Sequence, residues 1–416
     1  MFLFILILVG IVYTEEVVNL PKLNFKVYSR HYSGYLNVSD THRLHYWFIE
    51  SQNTPSVDPL IFWFNGGPGC SSLFGMFNEN GPFLFSKGND TFRRNEYTWN
   101  RMANIVYLES PAGVGFSYST DGEVRTDDDL TADENYVAVK EFLKFRNHDI
   151  FLAGESYAGI YIPMLAERMI DGQNDFSINL KGMAIGNGCV NFNNRRNTSL
   201  LMSQSHGLID KKTYNIIIDR CCFGNRSNCK MDMDYEYCYH VDKYTIFQLY
   251  DIDPYDLSRK CNNDIFNKKS VIPNCRHDKS IITKYFQNAK VREAIHIPTE
   301  IHDWQMCNGR EYMKIKQDTS AQVKKAVEHG VRTLLYYGDQ DLACDFIMGQ
   351  QFAAKLKIPK IESKAPWVYN GVVAGYKTVY EGLTFLTIRG AGHLVPMSHP
   401  QQTFHVLQQF LNDEPI

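Results

Sequence analysis

Short runs with apolar residues at both parities, rather than only at every second position, recur along this chain and narrow what it can become. Leu60-Ile61-Phe62-Trp63-Phe64 is the clearest, and Leu44 to Ile49, Ile105 to Leu108, Ile150 to Ala153, Met183 to Ile185, Thr333 to Tyr337 and Leu383 to Ile388 are of the same kind. Strands covered by helices on both faces read this way, because neither parity meets water. Ala132 to Phe145 carries apolar residues at helical spacing ahead of the Ile150 run, and Ile160 to Ile170 continues as a helix after it. Strands alternating with helices predict a doubly wound, mostly parallel α/β sheet. At 416 residues the chain is longer than one core usually serves, and from Asn191 to about Ile301 it turns polar and rich in Tyr and Cys. The expected organisation is therefore a sheet domain formed by residues 15–190 and 302–416, interrupted by a cap insertion over 191–301 that disulfides staple.

Met1 to Val12 are almost all apolar, yet fall short of the ~20 residues that cross a bilayer, and Glu15 and Glu16 follow directly. Residues 1–14 read as a secretory signal peptide cut after about Thr14, although no Lys or Arg precedes the apolar core. No later segment is apolar enough to span a membrane, so stable membrane insertion is not expected. Ten cysteines on the secretory route are expected to be mostly disulfide-bonded. Six of them crowd into Cys221, Cys222, Cys229, Cys238, Cys261 and Cys275, without the paired C-x2-C ligands of a zinc site. Sequons at Asn37, Asn89, Asn197 and Asn225 predict glycosylation in the same compartment. With 43 Lys+Arg against 46 Asp+Glu, a formal charge of -3, there is no basic excess to neutralise a phosphate backbone. Nucleic acid is excluded as a partner.

Gly154-Glu155-Ser156-Tyr157-Ala158-Gly159 contains a G-x-S-x-G pattern, which alone arises by chance in roughly one of ten chains this long. Its setting decides more: a strand leads into it and a helix leaves it, with Pro163 tolerated only in that helix's first turn. Small neighbours let a sharp turn lift the serine hydroxyl clear of the backbone. The helix N-terminus behind it favours a developing oxyanion. A serine hydroxyl needs a base to take its proton and a carboxylate to orient that base. Tyr336-Tyr337-Gly338-Asp339-Gln340-Asp341 ends one strand with two candidate acids, and Arg389-Gly390-Ala391-Gly392-His393 ends another with a histidine between small residues. The order nucleophile, acid, base is that of an α/β-hydrolase fold. Trp63-Phe64-Asn65-Gly66-Gly67-Pro68-Gly69-Cys70-Ser71-Ser72 runs from a strand into a Gly-rich loop fit to complete an oxyanion hole with backbone N–H groups. This chemistry calls for no metal and no cofactor.

With these motifs in place the sequence resembles the serine carboxypeptidases. The likeness rests on Asn65 to Ser72, Leu108 to Ser119, Gly154 to Gly159, Gly338 to Asp341 and Gly390 to Pro396, with His45 to Phe48 and Trp304 to Asn308 in support. It implies Ser156 as nucleophile, His393 as general base, Asp341 as the orienting acid, and the N–H groups of Gly67 and Tyr157 as the oxyanion hole. Asn65, Gly66, Glu79 and Glu155 would hold the C-terminal carboxylate of a peptide. Two ionised glutamates would repel that carboxylate. Closely spaced acids hold a proton to higher pH, and once protonated they donate hydrogen bonds instead. The expected activity is release of C-terminal amino acids at acidic pH through an acyl-enzyme. Acyl transfer to an alcohol and a protective role towards other lysosomal hydrolases are the alternatives.

The resemblance further implies pairing of Cys70 with Cys307, Cys221 with Cys238, Cys222 with Cys229 and Cys261 with Cys275, leaving Cys189 and Cys344 unpaired. It implies a lysosomal or extracellular location, and a homodimer and other lysosomal hydrolases as partners beside peptide substrates. Only Asn262 to Asn274 separates Cys261 from Cys275, where a lysosomal member of the family carries a long excised segment, so a single-chain mature form is expected. Met397-Ser398-His399-Pro400 also lacks the Asp usual in that member.

Overall fold

Leu60–Phe64 forms a strand in which every side chain is buried, and successive residues point into different cores. Leu60, Phe62 and Phe64 join one cluster while Ile61 and Trp63 join the other. The same alternation separates Leu152 from Phe151, Ile185 from Ala184, Tyr337 from Tyr336 and Phe385 from Leu386. A period of two with both parities apolar is what a sheet between two helical layers demands.

The computed structural model describes residues 15–86, 91–142, 148–225, 229, 236–241, 252–260, 279–309 and 311–416. The expected signal peptide, the sequon at Asn89 and the pair Cys261 and Cys275 lie outside the described residues. Among those described, the central strands Asn104–Leu108, Leu60–Phe64, Ile150–Glu155, Leu180–Gly186, Arg332–Gly338 and Leu383–Ile388 are neighbours in that order and run parallel. Antiparallel strands finish both edges: His42–Ile49, His31–Asn37 and Glu15–Glu16 on one side, Val372–Tyr380 and Lys360–Tyr369 on the other. Each strand expected from an apolar run lies inside an observed one. The Lys360–Tyr380 hairpin was not legible, because much of it faces water and its strands mix apolar and polar residues without a continuous buried run.

Helices Asp128–Glu141 and Ala158–Asp171 cover one face of the sheet, and Pro400–Asn412 covers the other through Val406, Leu407 and Phe410. The first begins earlier than its apolar spacing predicts. Asp127 caps it, accepting from Leu130 N at 2.9 Å. Pro163 stands beyond the first turn of its helix, contrary to expectation. The carbonyl it leaves without an intrahelical donor is that of Gly159, which accepts instead from the Thr319 hydroxyl at 3.2 Å.

Within 191–301, helices Arg195–Ser205 and Lys211–Cys221 enclose a small core of Leu200, Met202, Tyr214, Ile217 and Ile218 together with Cys221, Cys222, Cys229 and Cys238. Disulfides join Cys221 to Cys238 and Cys222 to Cys229 there. Ile282, Tyr285, Phe286, Val291 and Ile295 pack into the main core instead. Cys70 bonds Cys307 across 237 residues of sequence.

Two expectations need correction. Cys189 and Cys344 are not unpaired: they form a disulfide, their Cα atoms 5.0 Å apart, within the span such a bridge needs. Asn197, unlike the exposed Asn37 and Asn225, is 2% exposed inside helix Arg195–Ser205. A glycan there has no path to solvent, so in this fold the sequon is buried by helix packing. No helix among the described residues is long and apolar enough to cross a membrane.

Candidate active site

Strand Ile150–Glu155 ends at the centre of the sheet, and Ser156 turns the chain into helix Ala158–Asp171. Its φ of +61° lies in the left-handed region, which a serine occupies only when its surroundings enforce it. Ser156 N donates to Gly186 O at 3.0 Å, and Ser156 O accepts from Gly159 N and Cys189 N, both at 2.9 Å. Gly154 makes the turn's approach feasible, since a Cβ there would lie 2.3 Å from Phe64 O. Between residues 150 and 166 only Ser156 has appreciable exposure. The turn thus presents one side chain.

Asp341 and His393 follow the C-terminal ends of the adjacent strands Arg332–Gly338 and Leu383–Ile388. His393 Nδ1 is 2.6 Å from Asp341 Oδ2. That oxygen also accepts from Asn187 Nδ2 at 2.9 Å and Cys344 N at 3.1 Å, while Oδ1 accepts from Ala343 N at 2.9 Å. A carboxyl group surrounded by three N–H donors is the acceptor towards the ring as well, so Nδ1 carries the hydrogen and Nε2 is left as the basic nitrogen. His393 N donates to Tyr255 O at 2.7 Å, and the Tyr255 ring stands edge-on to the imidazole at 4.9 Å. The strand pair Ile252–Asp253 and Asp256–Lys260 that carries Tyr255 clamps both loops. Leu342 N donates to Pro254 O and Leu257 N to Gln340 O, each at 2.9 Å. Asp339, the other candidate acid, accepts from Gly390 N at 2.8 Å and so ties the two loops together as a turn residue.

The Gly-rich loop lies against the serine. A Cβ at Gly66 would sit 2.3 Å from Tyr157 N and 2.7 Å from Ser156 Cβ. Among the described residues, neither Gly67 N nor Tyr157 N donates a hydrogen bond. Tyr157 is held by its far end, its hydroxyl donating to the buried Asp128 at 2.8 Å. The loop's downstream side is fixed through Glu109. Ser71 Oγ and Trp304 Nε1 donate to one oxygen of Glu109, while Phe116 N and His45 Nδ1 approach the other. The scattered strings around His45, Ser71, Glu109 and Trp304 are therefore one buried cluster.

Asn65 joins this loop to two acids. Trp63 Nε1 and Gly75 N donate to its Oδ1 at 2.9 and 3.0 Å, which turns Nδ2 towards Glu155 Oε1 at 2.8 Å and Glu79 Oε1 at 3.4 Å. Glu79 lies on the helical turn Met76–Asn80, against which Val395–Ser398, just after His393, packs. The remaining oxygens, Glu79 Oε2 and Glu155 Oε2, are buried without a partner among the described residues. Burial raises the Glu79 pKa to about 7, against smaller opposing effects of Glu155, Asn65 and His393. Burial also raises Glu155 well above the ordinary carboxyl range, and the charge of Glu79 and the bond to it push the same way. The two acids titrate together, and burial keeps a proton on the pair above the range of an exposed glutamate.

A serine on a sharp turn, a carboxylate-bound imidazole on the neighbouring strands and unpartnered N–H groups beside the serine suit nucleophilic acyl chemistry. The profile of the serine carboxypeptidases matches residues 21–413. This chain belongs to the serine carboxypeptidase family. It is 34% identical to serine carboxypeptidase ctsa-4.1 of Caenorhabditis elegans, over 96% of this chain and 94% of that one. It is 35% identical to the lysosomal protective protein of Mus musculus over the same shares. Among solved structures, Kex1, a prohormone-processing carboxypeptidase of Saccharomyces cerevisiae, superposes with a TM-score of 0.75 at 21% identity over 92% of each chain, which shows the shared fold.

In this serine carboxypeptidase His393 bonds Asp341, Asn65 links Glu79 to Glu155, and Ser156 follows Glu155 directly and lies against Gly66. Glu79 feels the charge of His393, and Glu155 that of Asp341. Sequence reasoning missed Asn187, Tyr255 and the Cys189–Cys344 bridge. Asn187 follows a strand between two glycines, a signal available beforehand. Tyr255 had none, since only the folded insertion brings it to His393.

Proposed function

We propose that this serine carboxypeptidase removes C-terminal amino acids from peptides at acidic pH, with Ser156, His393 and Asp341 as its triad. Ser156 Oγ attacks the last peptide carbonyl as His393 Nε2 takes its proton, and Asp341 stabilises the imidazolium. Gly67 N–H and Tyr157 N–H receive the oxyanion, His393 protonates the leaving amine, and water then cleaves the acyl-Ser156 ester. Asn65, the Gly66 backbone, Glu79 and Glu155 bind the terminal carboxylate. The observation that carries this reading is the buried, proton-holding Glu79–Glu155 pair beside the serine. Such a pair repels anions when ionised and donates to them when protonated.

Comparison of a blocked dipeptide with its C-terminal amide tests the reading. The free acid is expected to have kcat/KM on the order of 10- to 100-fold above the amide at acidic pH, the worth of a charge-assisted hydrogen bond. Equal rates would leave the carboxylate site without a role. Ester products formed from added alcohols in preference to acids would mark a transferase instead.

Substituting alanine at Gly66 tests the oxyanion site separately. Its methyl group must displace Tyr157 N, a main-chain atom that cannot swing away. We expect kcat to fall on the order of 10²- to 10³-fold, the cost of a lost oxyanion donor, while far-ultraviolet circular dichroism shows the fold intact.

The disulfides and the acid-loving clamp support a secretory or lysosomal setting. The protective name of the mouse relative makes contact with other hydrolases a reading to test by co-purification.

A further inference from the structure

The segment after strand Leu180–Gly186 touches the serine and the acid at once. Gly186 O and Cys189 N bracket Ser156, bonding its N–H and its carbonyl at 3.0 and 2.9 Å. Between them Asn187 Nδ2 donates to Asp341 Oδ2 at 2.9 Å. From the opposite loop Cys344 N donates to the same oxygen at 3.1 Å, and Cys344 O accepts from Asn187 Nδ2 at 3.4 Å. The Cys189–Cys344 disulfide closes this bridge covalently across 155 residues of sequence. Each half-cystine therefore donates its own backbone N–H to one member of the triad.

We propose that the Cys189–Cys344 disulfide is a positioning cross-link for the reaction, holding Ser156 in register with the Asp341–His393 pair. The inference rests on the triad reading above. Ser156 sits at a φ of +61°, a conformation that relaxes unless the chain on both sides is fixed. The bonds from Gly186 and Cys189 fix it, but they belong to a loop that must itself be held against the Asp341 loop. Hydrogen bonds alone leave two such loops free to shear, whereas catalysis requires its groups held within about 0.5 Å. Both cysteines are buried, Cys189 at 5% and Cys344 at 1% exposure, so the link is shielded and lies under the site rather than in it. Asn65 and Glu79 of the carboxylate clamp hang from other segments, and Glu155 is held by the sheet itself, paired with Gly186 ahead of the bridged loop. Loosening the link should therefore disturb the chemical step and spare binding.

The full-length enzyme and its C189A/C344A variant discriminate this role from that of a simple staple. We expect kcat to fall about tenfold or more and phosphonylation of Ser156 by a fluorophosphonate to slow in parallel. KM for a blocked dipeptide should stay within about twofold, because the clamp is untouched. C221A/C238A, which removes a disulfide from the small core of the insertion, should lower the thermal midpoint and leave kcat alone. A C189A/C344A enzyme with unchanged kcat and a lowered midpoint overturns the proposal, as does non-reducing peptide mapping of the native enzyme that finds the two thiols free. Should that variant fail to fold, C189S/C344S carries the same comparison and the mapping still decides whether the link exists. Undiminished activity in S156A would sink the triad reading itself, a separate outcome.

Discussion

Replacing Ser156 by alanine is expected to lower kcat on the order of 10⁴- to 10⁶-fold while peptide binding survives. The substitution removes the atom that forms the acyl bond and nothing else that the structure uses to hold substrate. Ser156 makes its hydrogen bonds to Gly186, Gly159 and Cys189 through the main chain, so the turn persists without the hydroxyl. Asn65, Glu79 and Glu155 keep their contacts, and a blocked dipeptide should bind S156A with the affinity it has for the native enzyme. Calorimetric titration gives that affinity, and turnover under excess enzyme gives the residual rate. Labelling by a fluorophosphonate should vanish in the same variant. Retention of a tenth of the native kcat would remove Ser156 from the chemistry.

Raising the pH through about 7 is expected to weaken substrate binding by up to tenfold per unit for peptides with a free terminal carboxylate, and not for their amides. The sign follows from the pair. Burial holds protons on Glu79 and Glu155 well past the pH at which an exposed glutamate loses its own. Below about 7 Glu79 keeps its proton and the pair donates to the substrate carboxylate; above it, an ionised Glu79 faces that carboxylate. The change belongs in KM, because the clamp binds substrate while His393 acts on kcat. In a Glu79→Gln/Glu155→Gln variant both positions keep an N–H donor and neither titrates, so its KM should be flat across the same range. A native slope in that variant would assign the pH dependence elsewhere.

Stability carries the same signature. Both folded-state pKa values lie above those of the unfolded chain, so the folded state binds more protons between about 4.5 and about 7. This contribution is complete at the acid end and is lost as the pH rises. Thermal midpoints should therefore decline from pH 4.5 to 7.5 more steeply in the native enzyme than in a Glu79→Gln/Glu155→Gln variant.

Much of this site was readable before any coordinates. Ser156, Asp341 and His393 each follow a strand whose apolar run is unmistakable, and glycines around them leave few alternatives for the backbone. Asn65 and the Gly-rich loop were marked in the same way. Asp339 and Asp341 are two residues apart on one turn, and the sequence alone left both open. In the fold, Asp341 points to His393, while Asp339 bonds Gly390 N.

The pairing of Cys189 with Cys344 shows the opposite case. Ten cysteines permit complete pairing, yet likeness to relatives argued against this bond, and only the meeting of two loops brings their Cα atoms to 5.0 Å.

What the sequence determined by itself is the set of buried strands and the turns that end them, because burial on both faces and the demand for small residues are written into each short segment. What tertiary structure alone decided is which turn faces which: Asn187 beneath Asp341, Tyr255 over His393, Glu79 beside Glu155. Those choices depend on packing between segments distant in the chain, and no local stretch carries the distances that packing sets.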